Sequence, residues 1–318
     1  MNRFALLVVT TLALVCGVCP SAFGWGSATH AYIARQIGDG QGSTDLRAIY
    51  GAVLPDAFNV MFGDPYQGQL WTLTHYEFQK LVDQAQSEYD RAFAYGFAGH
   101  NEAWGADRTA HISAIGDPTH GYVVRKSDEL AAILKPQIRF FLLLSGVANP
   151  DAVLDDVLPT VTHSAVETAV DLLICRNEDP DIGQLLLLAA RTRGWSAPIL
   201  LCKAYAAEFA ATAETTEAVA SPLIVAAEDE FRGQIELYGS VLAQEDPLDA
   251  LAEQAADLAR QLLAAQQGLV VDVPADLMKQ IVTAAIDLVE DDYAAELAAT
   301  VTQVRQELES HAIAQPGS

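Results

Sequence analysis

Trp25-Gly26-Ser27-Ala28-Thr29-His30-Ala31-Tyr32-Ile33-Ala34-Arg35-Gln36-Ile37-Gly38 shows in one stretch how the chain is built. Ser27 is a helix-capping residue type, small and apolar side chains follow at helical spacing, and Gly38, Gly40 and Gly42 supply the stop. The stretch predicts a helix over Ser27 to Ile37. The pattern repeats outward, since Ala and Leu dominate and β-branched alternating runs are scarce. Further helices are expected from Thr44 to Val53, Thr74 to Gln86, Glu88 to Trp104, 127–146 and 151–177, with Pro159 at a first turn or a kink. From about 181, four or five long amphipathic helices are expected, broken near Pro222, Pro247 and Pro274. Leu54-Pro55-Asp56 reads as a turn, 63–69 as a loop and 105–126 as an ordered irregular segment. The fold class is all-α.

Towards the N-terminus, residues 1–24 read as a secretory signal peptide. Arg3 gives the positive start, Phe4 to Val18 the apolar stretch, and Ala22-Phe23-Gly24 the small residues before a cleavage site. Cleavage there frees an α-amine on Trp25 and points to a secreted or periplasmic protein. Cys16 and Cys19 leave with the leader, so Cys175 and Cys202 remain as candidates for one disulfide. After the leader no apolar run reaches membrane-spanning length. Phe140-Phe141-Leu142-Leu143-Leu144 suits a buried helix.

The charge is uneven. The 318 residues carry 18 Lys plus Arg and 42 Asp plus Glu, a formal net charge of −24 with 51% apolar residues. A disordered chain is excluded by that apolar content. Nucleic acid is a poor partner for such a surface, because phosphate contacts need clustered Lys and Arg. Residues 201–318 hold 21 Asp plus Glu against 5 Lys plus Arg and only His311 among the histidines. The division expected is a ligand-bearing core over 25–180 and an acidic helical bundle over 181–318.

His30, His75, His100, His111, His120 and His163 all lie in the front half. Asp107 and His111 are four apart, as are His163 and Glu167, which on a helix places each pair on one face. Imidazole with carboxylate suits a divalent metal, zinc foremost. In order, the chain offers Trp-Gly-x-x-x-His at 25–30, Leu-Pro-Asp at 54–56, His75, Gly99-His100, Asp107-x-x-x-His111 and His163-x-x-x-Glu167.

Over roughly residues 25–175 this order resembles the zinc-dependent phospholipase C family, which shares its all-α fold with the S1/P1-type nucleases. The resemblance implies a fold of that type with an additional C-terminal bundle, and up to three Zn²⁺. It implies that Trp25 and His30 hold one zinc, and that Asp56, His75 and His100 hold a second. Asp107 would bridge the two, and His111, His163 and Glu167 would hold the third. Asp56 is the candidate catalytic carboxylate that orients or deprotonates the attacking water. One departure stands out. The family writes its bridging acid as His-x-x-x-Asp, but Trp104 holds that position and Asp107 follows three residues later. Either the helix ends early and a loop returns Asp107, or one metal is bound differently. Glu102 is also nearby. His120, with Asp117, reads as structural or supporting.

The reaction implied is hydrolysis of a phosphodiester, with a phospholipid or a soluble phosphodiester as substrate. Tyr76, Phe78, Trp104 and Tyr122 are candidates to line the cleft. Two other readings stand beside it: an S1/P1-type nuclease, and a catalytically idle, metal-stabilised helical module whose acidic bundle binds a partner.

Overall fold

The computed structural model describes residues 24–38, 45–61 and 64–314, without the side chains of 265 and 266. Most of the expected signal peptide, with Arg3, Cys16 and Cys19, lies outside the described residues, as do Gly40, Gly42 and Thr44. Among the described residues every regular element is helical, which bears out the all-α expectation.

The front half holds α1 (Ser27–Ile37), α2 (Leu46–Val53), a 3₁₀ segment (Leu54–Val60), α3 (Gln67–Tyr76), α4 (Gln79–Gln84), α5 (Glu88–His100) and α6 (Ala106–His111). Two long helices follow, α7 (Tyr122–Leu144) and α8 (Pro150–Leu173), and a π turn (Ile174–Glu178) ends the second. The remainder is α9 (Ile182–Thr192), α10 (Ser196–Thr212), α11 (Glu217–Leu242), α12 (Leu248–Gln267), α13 (Ala275–Val289) and α14 (Tyr293–Ser310).

Several boundaries differ from the expected ones for local reasons. Asp45 caps α2, its carboxylate accepting from Arg47 N. The expected helix over 74–86 is two helices, so His75 closes α3 instead of opening an element. α5 stops at His100, four residues short of Trp104, and the segment after it contains the short helix α6. Pro222 lies inside α11 and does not break it. The run Phe140 to Leu144 is not buried as expected: Leu142 is, while Phe140 and Leu144 are 62% and 73% exposed.

The helices beyond residue 181 do not stand apart from the front half. One continuous apolar core runs from Trp25 and Phe58 through Leu173 and Leu201 to Val304 and Leu308. α9 packs on α2, α11 on the 3₁₀ segment, and α14 on α1, α5 and α6. Buried Glu228 of α11 accepts from the Tyr50 hydroxyl at 2.8 Å and pairs with Arg193 at 2.6 Å, tying α2 to the rear helices. The segment Pro150–Glu178 is long and apolar enough to cross a membrane, yet 72% of its apolar window is buried inside the fold, as a core helix would be. Cys175 and Cys202 are both unbridged.

The crossing of α2 and α5 sets the site. A Cβ at Gly96 would fall 1.9 Å from the Ala48 carbonyl oxygen, and one at Gly51 would fall 2.1 Å from that of Phe93. Only glycine lets the two backbones meet this closely. The contact brings His100, at the end of α5, against the last turn of α2.

Candidate metal centre

Two histidines of the centre, His100 and His75, are aimed by backbone carbonyls. His100 Nδ1 lies 2.7 Å from Ala52 O, and His75 Nδ1 lies 2.9 Å from Trp71 O. A carbonyl only accepts, so both Nδ1 atoms carry the hydrogen and both Nε2 atoms present lone pairs. Those two Nε2 atoms face each other at 3.2 Å. Two lone pairs that close repel unless a cation or proton lies between them.

Carboxylates complete the cluster. Asp107 Oδ2 lies 2.9 Å from His100 Nε2 and 3.4 Å from His75 Nε2, and its Oδ1 lies 3.1 Å from His30 Nε2. Asp56 Oδ1 is 3.5 Å from His75 Nε2 and 3.8 Å from His100 Nε2. His30 Nε2 and both Asp107 oxygens are buried without a hydrogen bond. Imidazole nitrogens and carboxylate oxygens that converge on one largely buried space in this way are the donor set of a metal site. His30, His100 and Asp107 form one group able to hold a metal ion, and Asp56, His75 and His100 form another.

Electrostatics agree with a cation-seeking site. Burial, with His100 beside it, pulls His30 below its ordinary value. Burial works against charge on His100 too, yet Asp107 and Asp56 outweigh it and push the imidazole up to about 9. Asp107, against the cost of burial, is held well below the usual carboxylate range by His100 and His30. Positive charge at His100 is thus favoured beside Asp107 and Asp56, and a bound metal would supply it in place of a proton.

The departure at Trp104 has a local cause. Asn101 ends α5, and its side-chain oxygen accepts from the amides of Ala103, Trp104 and Gly105. That turn starts α6 at Ala106 and carries Asp107 back to His100. The early-ending helix is therefore the alternative that this chain adopts. Gly105 is required there, since a Cβ would fall 2.6 Å from Asn101 N and O.

The N-terminal stretch is anchored from far along the chain. Ser27 does not cap α1; Asp171 of α8 does, accepting from Ala28 N at 3.0 Å, Thr29 N at 2.8 Å and the Thr29 hydroxyl at 2.6 Å. Trp25 stacks on Tyr122 and donates Nε1–H to Thr109 at 2.9 Å. Gly24 abuts Asp107 so tightly that a Cβ on it would fall 1.6 Å from Oδ1. The nitrogen of Trp25 is accordingly beside the cluster.

The other expected ligands form a second layer. His111 Nδ1 lies 2.5 Å from Glu102 Oε1, and Glu102, Asp107 and His111 form a third group able to hold a metal ion. His163 and Glu167 pair at 3.3 Å on α8, with the His163 ring 5.5 Å from that of His111. Glu167 is pushed up to about 7 by burial, with His163 pulling the other way. His111, His163 and Glu167 are neighbours but do not gather their donor atoms into one such group.

His120 is exposed on a turn beside Asp117 and takes no part. Of the four expected lining aromatics, Phe78, Trp104 and Tyr122 are buried in the core, and only Tyr76 is exposed near Glu102 and Asp107. Trp71, which carried no signal in the sequence, stacks on His75 at 4.3 Å. No family model, curated protein or solved structure matches the chain; what the structure shows is a His/Asp cluster that could hold a metal ion.

Proposed function

We propose that the protein is a secreted or periplasmic zinc-dependent phosphodiester hydrolase with a phospholipase C/P1-type helical core. The observation that carries this reading is the meeting of His75 and His100 Nε2 lone pairs at 3.2 Å between two carboxylates, in tautomers fixed by backbone carbonyls. His30, His75, His100, Asp56 and Asp107 would hold zinc, joined by the Trp25 amine once the Gly24–Trp25 bond is cut. Zinc bound there supplies positive charge for phosphoryl oxygens and lowers the pKa of a coordinated water to about 7.

The chain's own residues divide the remaining work. Asp107, shared between imidazoles, balances the cation charge and fixes the spacing of the donors. Asp56 is partly exposed, and Asn59 donates to its Oδ1 at 3.0 Å, so it is oriented at the mouth of the cluster. It is the carboxylate placed to accept a proton from an attacking water. Tyr76, exposed near Glu102 and Asp107, would meet the substrate beyond the phosphorus. The net charge of −24 disfavours a long polyanion and favours a phospholipid with a neutral head group or a small soluble phosphodiester.

The test is metal content and hydrolysis of bis(p-nitrophenyl) phosphate, phosphatidylcholine vesicles and single-stranded DNA. Protein secreted with its own leader is compared with a version carrying a tag before Trp25. Bound zinc and hydrolysis that both fall with the tag support the reading. His100→Ala should cut hydrolysis more than about a hundredfold. Metal with no hydrolysis of any substrate would leave the idle, metal-stabilised module in its place, and metal-free protein would overturn both.

A further inference from the structure

Glu102 follows the His100–Asn101 turn and is buried. Its amide donates to His75 O at 3.2 Å, which fixes it against the end of α3. Its Oε1 lies 2.5 Å from His111 Nδ1, and its donor atoms fall within 4.8 Å of those of Asp107 and His111. Asp107 is 1% exposed and neither of its oxygens has a hydrogen bond. Among the described residues the ion-pair partners of these two carboxylates are all imidazoles. Arg108, the nearest guanidinium in sequence, is turned to the Ala103 carbonyl oxygen. Two buried carboxylates and one imidazole, His111, thus turn donor atoms to one space, while His100 and His30 balance Asp107 from its other side.

We propose that Glu102, Asp107 and His111 hold a further divalent transition cation, with Asp107 shared between it and the His30–His75–His100 cluster. The inference rests on reading that cluster as a metal centre. It places Glu102, which the family resemblance leaves out, in the ligand set. It also leaves His163 and Glu167 as a pair beside the site, 3.3 Å apart on α8, with the His163 ring 5.5 Å from that of His111. A set of one nitrogen and two carboxylates suits zinc, manganese or iron, and excludes a soft thiophilic ion.

The experiment uses protein beginning at Trp25, stripped of metal and reloaded with Co²⁺, with cobalt per chain and the visible absorption as readouts. Glu102→Gln should bind one equivalent less than wild type, keeping the absorption of the remaining centre, and His163→Ala should bind as much as wild type. Glu102→Asp, which keeps the charge on a shorter arm, should regain the equivalent at higher cobalt. Circular dichroism of the stripped variants shows whether each is folded, so a lost equivalent is read as a lost ligand. A full count in folded Glu102→Gln overturns the proposal, as does an equivalent lost in His163→Ala alone. If Glu102→Gln binds fully while His100→Ala does not, only the Glu102 assignment falls. Wild-type protein that takes up no cobalt removes the first cluster as a metal centre as well.

Discussion

Asp171 does more for the N-terminal stretch than any residue near it in sequence. It gives α1 its N-cap, takes the Thr29 hydroxyl and accepts from Tyr238 at 2.8 Å, all in a buried setting. Burial raises its pKa, and these hydrogen bonds work against that rise. Asp171→Ala would orphan two amides and two hydroxyls, at a cost of about 2–4 kcal/mol. The expected outcome is a lower melting temperature in chelated protein, and weaker metal binding because Trp25 and His30 lose their footing. A melt unchanged from wild type would show that the cap contributes nothing. The sequence could not reveal this cap, since its acceptor lies more than 140 positions away and Ser27 offered a plausible local one. The donor types were legible by contrast: His30, His75, His100, Asp56 and Asp107 do meet. Glu102 carried only the signal of following His100 by two residues.

Helices were readable wherever Ala and Leu recur at helical spacing, and α1 begins and ends where its residues say it should. Junctions were less readable because tertiary contacts decide them. α5 ends at His100 through the Asn101 side chain, and Pro222 sits within α11 where a local rule expects a break. The α2–α5 crossing is the element on which the site depends most. Gly96→Ala would push a Cβ into the Ala48 carbonyl and part the helices, costing about 1–3 kcal/mol. It should also lengthen the His100 Nδ1–Ala52 O bond, so the imidazole loses its fixed tautomer. Metal affinity should fall roughly tenfold or more, in line with losing a ligand's supporting hydrogen bond. A titration against a competing chelator checks this, and an affinity equal to wild type would rule the crossing out as a support.

At the scale of the molecule, composition announced a ligand-rich front and an acidic rear, but not that the rear closes over the front. α14 does so through specific bonds. Thr300 donates to Thr109 at 2.8 Å, Gln303 to Trp104 O at 3.1 Å and Arg305 to Gln36 O at 2.6 Å, while Glu296 accepts from Ile115 N at 3.0 Å. A chain cut after Asp292 would uncover Val304's neighbours in α1 and α5 and release α6, which carries Asp107. It should bind little metal and take up a hydrophobic dye. Retained metal with no dye binding would mean the front half stands alone.

That closing helix also sets a clock. A chain synthesised N-terminus first presents every donor of the cluster long before its last eighteen helical residues appear. Until they do, the short helix that carries Asp107 lacks the contacts that α14 makes with it. If the cluster holds metal as proposed, its capture would be deferred to the finished chain, and truncated products of synthesis would stay inert.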